Sequence, residues 1–231
     1  MNVVYAVTAN FLEKIIPSMR SLIKHNPKAK VYVLTEVDEM PIETPCPVTV
    51  INITGQKYFG PDQKHCVNIP NNFGGAINLL KVAYPELLPR LNKVLHLDAD
   101  TIVCEDLSPL WKTDLTGKWF AAVPEYKGKY KPFGETYYNA GVLLVNLAQM
   151  RKDGIVPEMV DYLNTVRQPF ADQDAWNYYG IQDDKAVALP IRYNENFATG
   201  QTDTPAIVHF CGVRDWWDRK SERSRYLDEY K

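Results

Sequence analysis

The chain has 231 residues, 45% hydrophobic and 23% charged, an ordinary balance for a globular protein of one large domain or two small ones. Its formal net charge of -2 offers no footprint for a nucleic acid, and no apolar run approaches the roughly 20 residues that a membrane-spanning helix needs. Cys46, Cys66, Cys104 and Cys211 are scattered without a Cys-x-x-Cys pair and read as reduced thiols of a cytoplasmic protein, and Met1 to Val7 enters a strand with no secretory signal before it.

Val3 to Val7 is the first expected strand, ending at Thr8-Ala9-Asn10-Phe11. Leu12, Ile15, Ile16, Met19, Leu22 and Ile23 recur at three- and four-residue steps, which predicts one buried helical face. Pro17 either kinks that helix or marks its first turn, and His25-Asn26-Pro27 ends it. Val31 to Leu34 and Val48 to Ile53 follow as strands, and a strand, a crossover helix and a strand make the parallel unit of an α/β domain. Gly55 to Asn72 reads as an exposed loop and Ala76 to Leu88 as a helix with Pro85 late in it. After the strand Val94 to Leu97 come a short helix within Asp106 to Gly117 and a strand at Trp119 to Val123. Glu125 to Thr136 is a loop, Val142 to Leu147 a strand, and Pro157 to Val166 and Ala171 to Tyr179 are helices. Ala186 to Leu189 and Ala206 to Phe210 are late strands, before a charged tail that holds Trp216 and Trp217. There is no repeat and no Gly/Ser linker, so one α/β domain over 1–217 with a tail at 218–231 is the simplest organisation.

The chemistry concentrates in Leu97-Asp98-Ala99-Asp100. Two carboxylates at the end of a buried strand are costly unless a cation meets them. The pair reads either as a polar turn or as ligands for Mg2+ or Mn2+, which prefer oxygen and often bridge carboxylates to substrate phosphates. The flanking apolar runs favour the cation, and Ala99 between the two lets a substrate approach the backbone. The missing motifs narrow the choice. There is no Walker-type phosphate loop, no Gly-x-Gly-x-x-Gly after the first strand and no Gly-x-Ser-x-Gly elbow. His209 at a strand end reads as a core histidine or a ligand, Asn139 as a turn former before Gly141, Asp172 as a helix cap and Lys81 as a solvated helix charge.

Four segments in order resemble the family 8 glycosyltransferases. These are Tyr84-Pro85-Glu86-Leu87-Leu88-Pro89 leading to the Asp-x-Asp, Tyr138-Asn139-Ala140-Gly141, Asp172-Gln173-Asp174-Ala175-Trp176-Asn177, and His209-Phe210-Cys211-Gly212. The resemblance covers Val3 to about Trp217. It implies a GT-A fold with a mainly parallel central sheet flanked by helices. It implies a hexose moved with retention from a nucleotide-sugar, UDP-glucose or UDP-galactose, to a glycan or lipid-linked saccharide acceptor. By position, Asp98, Asp100 and His209 would hold Mn2+ or Mg2+. Thr8, Asn10 and Phe11 would lie by the base and ribose. Lys81, Ala99, Asn139, Asp172 and Gln173 would line the donor pocket, and Gly212 and Arg214 would approach the diphosphate. Gln173 would steady an ion-like transition state, since a neutral amide is a poor nucleophile. Three positions depart from the pattern: Thr8 stands for an acid, Lys81 for an arginine and Asp215 for a lysine. A catalytically inactive nucleotide-sugar or glycan binder on the same fold is the alternative that Thr8 and Asp215 suggest. The mixed charges of the tail give no stable membrane anchor.

Overall fold

A computed structural model describes residues 1–57, 77–126, 133–166, 169–211 and 224–230. Seven strands form the central sheet: β1 (Asn2–Ala6), β2 (Lys30–Thr35), β3 (Val48–Asn52), β4 (Lys93–Leu97), β6 (Phe120–Ala122), β7 (Val142–Asn146) and β8 (Ala186–Ala188). Their order is β3-β2-β1-β4-β7-β6-β8. Pairs β1–β2, β2–β3, β1–β4 and β6–β8 are parallel, whereas β7 runs antiparallel to both β4 and β6. The sheet is therefore mostly parallel, as expected, with one reversed strand. Strand order turns back at β1, so the chain leaves β1 and β4 on either side of a crevice at their carboxyl ends. Thr8 to Phe11 follow β1 there, and Asp98 to Asp100 follow β4.

Alternation along β1 explains the two-sided core. Val4 joins an apolar cluster on one face of the sheet, with α2 (Ile77–Leu87), α5 (Val156–Thr165) and α6 (Asp172–Gln182). Val3 and Tyr5 join the other face, with Met19 and Leu22 of α1 (Ile16–His25). Strands covered on both faces need continuous apolar runs, which is why β1, β4 and β7 read that way in the sequence.

Pro17 lies in the first turn of α1. A longer α-helix through this point would lose a hydrogen bond at the proline nitrogen and meet its ring. The chain instead forms a 3-10 helix over Ala9–Ile15 and starts the α-helix after it. Pro85 falls inside α2 without ending it before Leu87. Among the described residues, two α-helices lay outside the expected set, α7 (Ser224–Asp228) in the charged tail and, after β7, α4 (Leu147–Asp153). The ends of α4 are conventional: the Asn146 side chain accepts from the Gln149 amide, and Gly154 follows at φ 67°.

A separate antiparallel ribbon joins β5 (Thr101–Val103) to β9 (Ile207–His209), with Thr101 opposite His209. The Phe210 amide donates to the Asp100 carbonyl at 2.9 Å. This ribbon carries the late histidine to the Asp-x-Asp. Buried hydroxyls tie it to α1: Thr101 Oγ1 donates to the Asp98 carbonyl and lies 3.0 Å from Ser18 Oγ, which meets Tyr5 Oη at 2.9 Å. After α3 (Ser108–Trp111) and the later strands, the chain returns in α7 (Ser224–Asp228). Leu227 and Tyr230 pack on Ile102, Val208 and Phe210, and Arg20 donates to the Tyr230 carbonyl at 3.1 Å. Residues 224–230 thus cover the outer side of the ribbon. The expected loop at Gly55 to Asn72 lies mostly outside the described residues, as do Trp216, Trp217 and the middle of the 125–136 loop.

Candidate active site

Asp98, Asp100 and His209 bring ligand atoms within 4.8 Å of one another. His209 Nε2 lies 3.2 Å from Asp100 Oδ1 and 3.8 Å from Asp98 Oδ2. Neighbouring oxygens around an octahedral Mg2+ stand roughly 3 Å apart, so two carboxylates and an imidazole in this arrangement fit a small hard cation.

The histidine is held ready for that role. Gly141 N–H donates to Asn139 Oδ1 at 3.0 Å, which fixes that atom as the acceptor end of the amide. Asn194 Nδ2 donates to the same oxygen at 2.8 Å, so Asn194 Oδ1 is the atom that faces His209 Nδ1, at 2.9 Å. Nδ1 therefore carries a proton, and Nε2 is the nitrogen aimed at the carboxylates. The ring fits because residue 141 has no side chain: a Cβ there would stand 2.0 Å from His209 Cε1.

Asn139 Nδ2 continues the network to Glu125 Oε1 at 2.8 Å, and Gln173 Nε2 donates to the same oxygen at 3.1 Å. Gln173 Oε1 accepts from the Ala140 amide at 2.9 Å. Both ends of the Gln173 amide are thus engaged. Asp172 and Gln173 open α6 after Ala171, whose backbone sits at φ 55° and ψ -130°. A residue with a Cβ pays about 1–3 kcal/mol for such a conformation, and sites are where such strain collects. Asp172 is the first residue of α6, and Ala171 takes the N-cap position; Asp172 Oδ2 is buried without a hydrogen bond and faces Lys81 Nζ at 3.6 Å.

Behind Asp98, Lys81 Nζ lies 2.8 Å and His96 Nε2 2.9 Å from Oδ1. Tyr84 Oη meets His96 Nδ1 at 2.8 Å. Burial favours the neutral Asp98 carboxyl, but Lys81, His96 and His209 outweigh it and hold the group far below the usual carboxylate range. Burial likewise opposes the Lys81 ammonium, yet Asp172 and Asp98 keep it above a free lysine. Burial dominates at Asp172 and lifts it to about 6, against the pull of Lys81. Burial, reinforced by Lys81, drives His96 down to about 4, so its ring is neutral at pH 7. Burial opposes the charge on His209, but Asp100 and Asp98 raise its pKa above the ordinary value.

The structure gathers most of the residues that the sequence singles out. Asp98, Asp100, His209, Lys81, Asp172, Asn139 and Gln173 are linked by the bonds above, and Ala99 lies between the two carboxylates, half-buried. Thr8, Asn10 and Phe11 sit at the rim beyond β1, where Thr8 Oγ1 donates to Asn10 Oδ1 at 2.5 Å, Phe11 is 39% exposed and Lys14 lies over its ring. Gly212, Arg214 and Asp215 lie outside the described residues. Glu125, Asn194, His96 and Tyr84 were not anticipated as members. Tyr84 was marked only as the start of a family-like segment, whereas His96 had a readable sign of its own: a histidine in an apolar strand, two residues before Asp98 and hence on the same side.

A crevice at the turning point of this mostly parallel sheet, with an acidic pair on one lip and an imidazole delivered by a ribbon, has the architecture of the GT-A fold. Solved structures of that architecture superpose on the chain. They include galactosyltransferase LgtC in complex with donor and acceptor sugar analogs, with a TM-score of 0.75, 20% identity, and coverage of 100% of this chain and 96% of that one. Mouse xyloside xylosyltransferase 1 gives a TM-score of 0.67 at 16% identity, covering 93% and 99%. The model of glycosyl transferase family 8 matches residues 2–221, and the chain belongs to that family. A putative glycosyltransferase of Haemophilus influenzae is 25% identical over 254 aligned residues, 95% of this chain and 74% of the relative. General stress protein A of Bacillus subtilis is 27% identical over 65% of this chain and 62% of its own length. Probable galacturonosyltransferase 12 of Arabidopsis thaliana is 42% identical over 63% of this chain, and the chain spans 34% of its length.

Proposed function

We propose that the protein moves a hexose, with retention, from UDP-glucose or UDP-galactose to a hydroxyl of a glycan or lipid-linked saccharide in the cytoplasm. The observation that carries this reading is the convergence of Asp98, Asp100 and His209 at the carboxyl end of β4, beside a buried Lys81–Asp172 pair. The three ligands would hold Mn2+ or Mg2+. When bound, that ion supplies Lewis-acid stabilisation of the charge that grows on a departing diphosphate.

The chain's own residues have separate tasks. Asn194 and Gly141 keep His209 oriented. Asp172 Oδ2, buried without a hydrogen-bond donor, is a ready acceptor for a sugar hydroxyl, and Lys81 holds its charge in place. Gln173, engaged at both ends of its amide, steadies the wall of the sugar site rather than attacking. Thr8, Asn10 and Phe11 would flank the base and ribose, Asn139 and Ala99 would line the donor, and the family resemblance assigns Gly212 and Arg214, outside the described residues, to the diphosphate. No helix among the described residues is long and apolar enough to cross a membrane. Cys46, Cys104 and Cys211 are free thiols, in keeping with a reducing compartment.

The test is UDP release from UDP-glucose and UDP-galactose with and without Mn2+. Turnover that needs the metal and disappears in Asp100→Asn supports transfer. Binding of UDP without any turnover favours the inactive binder, the reading to which Thr8 points.

Asp172→Asn is expected to lose transfer while gaining stability at neutral pH. The folded carboxyl titrates at about 6, above its ordinary value of 3.8. This group's contribution to stability is therefore full below the unfolded value and is lost as pH rises through about 6. The melting temperature of the variant should exceed that of the wild type most above about pH 6, and the gap should narrow as pH falls below that and close only toward the unfolded value of 3.8, where the unfolded carboxyl also becomes neutral. A gap that ignores pH over this range contradicts the assignment.

A further inference from the structure

The two oxygens of Asp98 have different surroundings. Oδ1 receives Lys81 Nζ at 2.8 Å and His96 Nε2 at 2.9 Å, while Oδ2 faces His209 Nε2 at 3.8 Å. An ionised carboxylate only accepts, so the proton on His96 Nε2 points at Asp98 whatever the charge of the ring. With the neutral ring, Nδ1 must then accept, and Tyr84 donates to it at 2.8 Å.

This arrangement is built, not incidental. Tyr84 and His96 are both fully buried. β4 is clamped on both sides at this point, where His96 lies opposite Val4 of β1 and Leu143 of β7. An aliphatic residue would fill the core at position 96 as Val94 and Leu95 do, and a buried imidazole is costly unless both nitrogens are partnered. Lys81 arrives from α2, one turn before Tyr84 on the same helix, so one helix supplies both the second donor to Asp98 and the anchor of the first.

We propose that His96, backed by Tyr84, is a positioning residue: together with Lys81 it occupies Asp98 Oδ1 and turns Oδ2 alone toward the divalent cation. This rests on the metal reading above and adds a role for two residues that never touch the ion or the sugar. A carboxylate free to rotate would alternate between its two oxygens or chelate through both. Held at Oδ1, Asp98 presents one oxygen in one direction, leaving other positions around the ion for the diphosphate.

The test measures Mn2+ affinity, not turnover. The aqueous Mn2+ signal in electron paramagnetic resonance reports free metal as protein is titrated in the presence of UDP. His96→Phe keeps the ring volume and removes both nitrogens. His96→Gln restores a donor near the Nε2 position. Tyr84→Phe removes only the anchor. His96→Phe is expected to weaken Mn2+ binding by about 10–100-fold, the range seen when a partner of a ligand is lost. His96→Gln should recover most of that loss, and Tyr84→Phe should cost a few-fold. Binding of UDP without metal should stay unchanged in all three.

Wild-type affinity in His96→Phe overturns the proposal, and so does equal impairment in His96→Phe and His96→Gln, which would mark a merely structural role. Should His96→Phe fail to fold, the Tyr84→Phe and His96→Gln pair decides: full affinity in Tyr84→Phe together with strong loss in His96→Gln overturns it. A wild-type protein that takes up no Mn2+ beside UDP defeats the underlying metal reading, and this proposal with it.

Discussion

Asp98→Asn is expected to lose both sugar transfer and stability, whereas Asp100→Asn loses transfer alone. Both variants remove one negative ligand, and a drop of at least about 1000-fold in kcat/KM follows if roughly 4 kcal/mol of transition-state stabilisation goes with the cation. Asp98 differs because it is also the closer counter-ion of Lys81, at 2.8 Å against 3.6 Å for Asp172. Lys81 is 9% exposed, so an asparagine leaves its ammonium with the more distant carboxylate as its remaining partner. Breaking a buried pair costs up to about 3–5 kcal/mol; the Asp98 side chain is 28% exposed, which reduces that to about 2 kcal/mol here. The pH dependence carries the same signature. Asp98 is held below its ordinary value, so its contribution is present above the unfolded value of 3.8 and is lost as pH falls toward the folded one. UDP release and thermal melting of the two variants check both halves. Equal melting temperatures would show that Lys81 does not depend on Asp98.

Gly141→Ala is expected to disable the site through His209. The added Cβ would lie 2.0 Å from Cε1, 2.6 Å from Nδ1 and 2.9 Å from Nε2 of that ring. The ring cannot retreat without giving up Asn194 on one side or the carboxylates on the other. The backbone cannot retreat cheaply either, because the Gly141 carbonyl accepts from the Asp98 amide at 2.8 Å, at the start of β7. Overpacking of this kind costs about 1–3 kcal/mol, and metal affinity falls further because the imidazole is displaced. Gly180→Ala is the matched control: its Cβ would lie 2.4 Å from Phe120 Cε1, far from the ligands in the network, within the core. Both variants should melt early, but Mn2+ binding beside UDP should fail only in Gly141→Ala. Loss of binding in both would mean that general destabilisation explains the effect.

How much of this could be read in advance differs from element to element. The buried strands were legible because burial on both faces requires unbroken apolar runs, and Asp98 and Asp100 stood out because they interrupt one. α4 carried its own signals in Asn146 and Gly154, but its seven residues are too few for a periodic pattern. Asp172 looked like a helix cap. In the structure it is a first-turn residue with an unsatisfied oxygen, because the strained Ala171 takes the capping position instead. Glu125 and Asn194 carry no local mark, and Tyr84 was marked only as the start of a family-like segment, with no role attached. Each matters through a partner from a different element: Glu125 through Gln173, Asn194 through His209, and Tyr84 through His96.

By itself the sequence determined the class of fold, the acidic pair and the ordered segments of the family, since side-chain periodicity and motif spacing are properties of neighbours along the chain. Only the tertiary structure decided that β7 runs backwards beside β4, that the β5–β9 ribbon sets His209 against Asp100, and that Asp98 has one oxygen held by Lys81 and His96 and the other turned toward His209. Those facts depend on strand register and side-chain orientation between distant segments, and both are fixed by the packing of the whole domain.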